Sequence, residues 1–143
     1  MSREPEETKE VGFRLGRLLK PGDIVCLYGE LGAGKTTMVK GIARAIGIDE
    51  RQIISVSFTI VTEYQSRPPL VHIDLYRIDS DAEIPELGLW DYVRDDTISV
   101  IEWPEKVERE LPDGVIRVTI RPVDENTREI TIEEKDEKDR DNL

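Results

Sequence analysis

The chain has 143 residues, about one domain's worth, and its 20 Lys plus Arg against 31 Asp plus Glu leave a formal net charge of −11. That acidity argues against a free-standing nucleic-acid binder and against an anionic membrane surface as partner, since both require a surplus of Lys and Arg. No run approaches the roughly 20 apolar residues of a membrane span, the opening MSREPEETKE has no apolar secretory core, and the single Cys26 excludes an internal disulfide or a Cys-rich metal site. The expected class is a small, soluble, cytoplasmic globular domain.

In chain order, Pro5 followed by Glu6 and Glu7 reads as a helix start. Val11, Leu15, Leu18 and Leu19 then recur at helical spacing until Pro21-Gly22, which predicts an amphipathic helix over residues 5–19. Ile24 to Tyr28 is a continuous apolar run suited to a strand buried on both faces. A glycine-rich turn follows, and Met38, Val39, Ile42, Ala43, Ala45 and Ile46 form a second helical stripe with Gly47 placed as its C-cap. Further strands are predicted at 59–64, 70–75, 97–101, 115–120 and 129–132, with short helical or turn segments near 82–93 and 104–110. The last two strands, split by Asp124-Glu125-Asn126, read as a hairpin. Residues 133–141, EEKDEKDRD, contain no apolar side chain, so residues 1–132 are expected to form one domain and 133–143 a disordered charged tail.

Gly29-Glu30-Leu31-Gly32-Ala33-Gly34-Lys35-Thr36 matches the phosphate-loop pattern G-x-x-x-x-G-K-[ST] in full, and Thr37 continues it. Glycines let successive N–H groups turn toward one anion, and the following helix adds its free N-terminal N–H groups. Lys35 supplies a positive charge for the outer phosphates, and the Thr36 hydroxyl is a ligand for Mg²⁺. A buried strand before the loop and a helix after it supply the context the motif needs. The chain therefore reads as an α/β, P-loop NTPase-like three-layer fold with a mainly parallel central sheet and a C-terminal antiparallel hairpin. Thr37 stands where a dinucleotide fingerprint needs glycine, and neither D-x-x-G nor N-K-x-D occurs; the nearest approach to the latter is Asn126-Thr127-Arg128-Glu129. ATP is the nucleotide expected.

Phosphoryl transfer with Mg²⁺ also needs an acid near the metal and a group that orients the attacking water. Asp74 and Glu102 lie at the C-terminal ends of apolar strands, where ligands gather in open α/β sheets. Each is also an ordinary candidate for capping a helix or pairing with Arg. His72, the only histidine, reads by spacing as structural. Trp103 suits stacking on a base, covering the site or plain packing, and Cys26 reads as a core residue. Ser55, Ser57 and Thr59 form a hydroxyl cluster on the segment where many such ATPases sense the terminal phosphate.

Taken in order, GELGAGKTT, SVSFTIVTEY, HIDLYR and IEWPEK resemble the TsaE (YjeE) family, the small bacterial P-loop ATPases of tRNA threonylcarbamoyladenosine biosynthesis, over residues 8–120 or so. The resemblance implies catalytic roles for Lys35, Asp74 and Glu102, with Thr36 and Glu102 as Mg²⁺ ligands. It places Trp103 near the nucleotide and gives weight to His72, Tyr76 and Arg77. The family's S-P-T-[FY] is here Ser55-Val56-Ser57-Phe58, which keeps a hydroxyl and loses the stiffening proline. The implied function is slow ATP hydrolysis alone, supporting turnover of an assembly with the TsaD and TsaB proteins. Those partners would hold tRNA, which reconciles the acidic charge with a tRNA product. Two other readings of the same loop are a small-molecule kinase, although Arg67, Arg77 and Arg94 are too scattered for a lid, and a non-catalytic nucleotide switch.

Overall fold

The computed structural model describes residues 4–30, 32–53, 61–78 and 88–134. Ser55, Val56, Ser57 and Thr59, the loop residue Leu31 and the tail beyond Glu134 lie outside the described residues.

Six strands form one sheet in the order β2-β3-β4-β1-β5-β6: β1 Ile24–Tyr28, β2 Val61–Tyr64, β3 Leu70–Asp74, β4 Ile98–Glu102, β5 Ile116–Pro122 and β6 Arg128–Glu134. Strands β3, β4, β1 and β5 run parallel, and β5 and β6 form the expected antiparallel hairpin. Its turn is held by the Asp124 carboxylate, which accepts the N–H groups of Asn126 and Thr127 at 2.9 and 2.8 Å. A second antiparallel pair, β2 against β3, closes the opposite edge, so both edges of the sheet are antiparallel where the sequence indicated only one. Strand β6 is longer than its apolar core: Glu133 and Glu134, assigned from sequence to the tail, continue the ladder opposite Arg117 and Ile116. An edge strand tolerates charge on its solvent side, and the Arg117–Glu133 pair favours the register.

The central position of β1 explains its unbroken apolar run, since Val25, Cys26 and Leu27 are all fully buried. One face of the sheet is covered by helices α1, Pro5–Leu18, and α2, Lys35–Ile46. The other is covered by the short helix Leu89–Tyr92, the 3-10 segment Pro104–Glu110 and their flanking loops. Helix α1 starts with Pro5 in its first turn, carries Glu6 and Glu7 at its positive end and Arg17 at its negative end, and yields to an extended Leu19. Glycines govern its packing on α2. A Cβ at Gly12 would lie 2.4 Å from the Met38 carbonyl oxygen, and one at Gly41 would lie 2.1 Å from that of Lys9. The helices therefore meet backbone to backbone, which carries the first turn of α1 to the side of the glycine loop.

Candidate functional site at the end of the sheet

The glycine loop leaves β1 at Tyr28 and enters α2 at Lys35. Gly34 takes left-handed angles, φ 111° and ψ 18°, and no side chain caps the helix behind it. A residue with a Cβ is strained there, and the first N–H groups of α2 face the loop as donors for an anion. Lys35 folds back under the loop, its ammonium donating to the Gly29 carbonyl at 2.7 Å. Burial is the main influence on Lys35 and lowers its pKa, while the charges of Glu102, Glu105 and Asp74 act in the opposite sense.

Two acids stand beside it. Side chains alternate along a strand, so Leu70, His72 and Asp74 of β3 and Ile98, Val100 and Glu102 of β4 all face the α1–α2 side. Asp74 and Glu102 are paired across the two strands at their C-terminal ends. Glu102 is only 3% exposed, and its Oε2 lies 2.6 Å from His72 Nε2, itself on a buried side chain. Asp74 accepts the Tyr76 N–H at 3.0 Å. Its pKa is raised, chiefly by burial and further by the neighbouring Glu102 charge.

Trp103 comes immediately after Glu102 and takes φ 60° and ψ 48°, the left-handed region. An aromatic residue gives up roughly 1–2 kcal/mol to sit there. The conformation brings the indole over Lys35, with the ammonium 3.5 Å from the ring centroid, and against Tyr76 at 5.1 Å between centroids. Lys106 ties the turn after Asp74 in place by donating to the carbonyls of Tyr76 and Ile78. Lys35, Asp74, Glu102 and Trp103, singled out separately in the sequence, thus converge with His72 and Tyr76.

Four residues of the loop and helix start face a different space. Gly32, Ala33, Gly34 and Thr37 line a cavity of about 260 Å³ on the outer side of the loop. Glu4, Pro5 and Thr8 from the start of α1 and Glu125, Asn126 and Arg128 from the β5–β6 hairpin complete it. Arg128 gave no local signal in the sequence, being one charge in an edge strand. In the fold its guanidinium donates to the Ala33 carbonyl at 3.2 Å and to the Asp124 carbonyl at 3.1 Å, joining hairpin and loop. Glu30 is exposed and Thr36 half-buried at the start of α2.

Among the described residues no three His, Cys, Asp or Glu side chains form a metal cage. Mg²⁺ in a phosphate-loop site needs none, taking a hydroxyl, one or two carboxylates, phosphate oxygens and water. Thr36 with Glu102 and Asp74 is an all-oxygen donor set of that kind, so the residues fit the ion. Cys26 is fully buried in β1, and burial pushes its thiol up to about 12. Among the described residues no helix is long and apolar enough to cross a membrane.

Comparison with known proteins gives a consistent picture. Residues 2–130 match the family model described as threonylcarbamoyl adenosine biosynthesis protein TsaE. The chain is 39% identical over 132 residues to the tRNA threonylcarbamoyladenosine biosynthesis protein TsaE of Treponema pallidum, covering 92% of this chain and 97% of that protein. It is 40% identical over 128 residues to the protein of the same name from Bacillus subtilis, covering 89% and 79%. Its fold resembles the crystal structure of Bacillus subtilis YdiB, with a TM-score of 0.74 and 36% identity over 90% of this chain and 79% of that one.

Proposed function

The chain belongs to the TsaE family of threonylcarbamoyl adenosine biosynthesis proteins, and from that premise we propose that it is a Mg²⁺-dependent ATPase acting in the cytoplasm with the TsaD and TsaB proteins. The family's place is in tRNA threonylcarbamoyladenosine biosynthesis. The observation that carries the finer reading is the convergence of Lys35, Asp74 and Glu102 beside an uncapped helix start, at the C-terminal end of a parallel sheet.

In this reading the triphosphate lies along the loop. Backbone N–H groups of the loop and of the first turn of α2 donate to its phosphate oxygens, and Lys35 exchanges the neutral Gly29 carbonyl for the β- and γ-phosphates. Thr36 and the carboxylates of Glu102 and Asp74 would hold Mg²⁺, which would supply neutralisation of the phosphate charge. A carboxylate of this pair would also be available to orient the attacking water. Trp103 shields Lys35 from solvent, which strengthens each electrostatic contact in the site. The outer cavity suits the nucleoside, because Glu4 and Glu125 on its wall repel phosphate yet accept hydrogen bonds from ribose hydroxyls or an exocyclic amine. Slow turnover alone is expected, and partners raise it. The net charge of −11 leaves the grip on tRNA to them.

Titration of the protein with ATP, followed by phosphate release with and without TsaD and TsaB, tests this reading. Saturable binding and stimulated release of inorganic phosphate are expected. Absence of both stimulation and association would overturn it, and phosphate recovered on an acceptor molecule would make it a kinase.

A further inference from the structure

His72 read from sequence as a structural strand residue; the geometry assigns it a task. We infer that His72 is the positioning residue of Glu102, holding the carboxylate in one orientation through its Nε2–H. The inference rests on the nucleotide reading above and deepens it.

The two side chains are each 5% exposed and come from adjacent parallel strands, His72 one step behind Asp74 on the same face. A carboxylate buried to this degree needs a donor. Lys35 interacts electrostatically with Glu102, but its ammonium is committed to the Gly29 carbonyl and, in the proposed complex, to phosphate. His72, 2.6 Å from Oε2, is the partner that stays in both situations. The carboxylate accepts, so the nitrogen facing it carries the hydrogen. Lysine or arginine at this place would cancel the charge that a metal or an attacking water needs. The imidazole fixes one oxygen, in the way that groups hydrogen-bonded behind a ligating side chain orient it.

Three variants separate positioning from packing: His72→Gln, whose amide reaches the place of Nε2; His72→Asn, whose amide stops short of it; and His72→Leu, which fills the space without a donor. Each is measured for thermal midpoint, for affinity toward a fluorescent ATP analogue in EDTA and in Mg²⁺, and for kcat and KM of ATP hydrolysis with the partner proteins. Affinity in EDTA should stay near wild type in all three. The Mg²⁺ enhancement of affinity, together with kcat, should fall on the order of 10-fold or more in Leu and Asn and recover in Gln. If Leu and Asn keep both the enhancement and kcat, or if Gln is as impaired as Asn, His72 does not position Glu102. If EDTA affinity and thermal midpoint fall in parallel with kcat, the role is packing. If wild type itself shows neither Mg²⁺ enhancement nor turnover, the nucleotide reading fails and takes this inference with it.

Discussion

On the sheet face turned away from α1 and α2, Tyr28, Arg117 and Glu108 form a polar cluster that meets its own needs. Tyr28 donates its hydroxyl to one Glu108 oxygen at 2.7 Å, while Arg117 donates to the other at 2.6 Å and also to the Tyr28 hydroxyl. On the opposite face, Lys35, Asp74 and Glu102 are not paired with one another: they rest on a carbonyl, a backbone N–H and an imidazole. The two clusters are built on the same parallel sheet, and alternation along its strands sends each set to its own side. In the first, cation and anion neutralise each other, so nothing is left for a ligand. In the second, one cation and two acids share a buried corner without pairing off, and they can re-pair when a phosphate and its metal arrive. Closed pairing marks a structural network, and charges left without a partner of opposite sign among themselves mark a site.

The sharpest way to break this contrast is Lys35→Ala. Triphosphate affinity should drop on the order of 100-fold, as for charge-assisted hydrogen bonds of roughly 1.5–3 kcal/mol each. Titration calorimetry that returned normal affinity would remove the inner cluster from the ligand's path. Next comes Glu102→Gln, which keeps the shape and deletes the charge. Turnover with the partner proteins should fall about 10- to 100-fold, together with the Mg²⁺ enhancement of affinity, while affinity in EDTA stays within about threefold. Unchanged turnover would show that the buried carboxylate is structural after all.

Gly41→Ala probes the platform rather than the charges. The added methyl would press on the Lys9 carbonyl and the Phe13 amide of α1, and urea unfolding should report a loss of about 1–3 kcal/mol. On the closed cluster, Tyr28→Phe should reduce stability by about 1 kcal/mol and leave nucleotide affinity and turnover unaltered. A change in turnover there would join the two faces functionally.

The smallest effect concerns Cys26. With its thiol pushed up to about 12, the native chain should resist alkylation at pH 8, and reaction should follow unfolding. The sign of the linked stability is fixed: between the ordinary thiol value of 9.0 and about 12 the folded chain keeps a proton that the unfolded chain loses. Stability from this group therefore declines as pH rises through that window. Rapid native labelling would place Cys26 outside the core.

Much of this was legible along the chain because its signals are local. The phosphate loop needs only contiguous residues, Pro5 and Gly47 punctuate helices by their own backbone preferences, and the apolar run of β1 announces burial on both faces. Contacts between distant segments carried no such signal. His72 and Glu102 are 30 residues apart, and Arg128 and Ala33 are 95 apart. Nothing in the spacing of either pair marks it. The antiparallel placement of β2 was hidden for a related reason: a four-residue edge strand has the same composition in either direction. Trp103 was recognised as a neighbour of the site, but its left-handed backbone, which aims the ring at Lys35, depends on the turn into Pro104.

The glycine contact between α1 and α2 has a practical corollary. Two helices touching backbone to backbone cannot slide by even part of a turn, so the chain entering α1 is tethered at a fixed point, with Glu4 on the rim of the outer cavity. Whatever is spliced ahead of Glu4, whether an affinity tag, a fluorophore or a fused domain, sets out from the mouth of the proposed nucleoside site. An N-terminal label is therefore itself a probe of whether that cavity is filled.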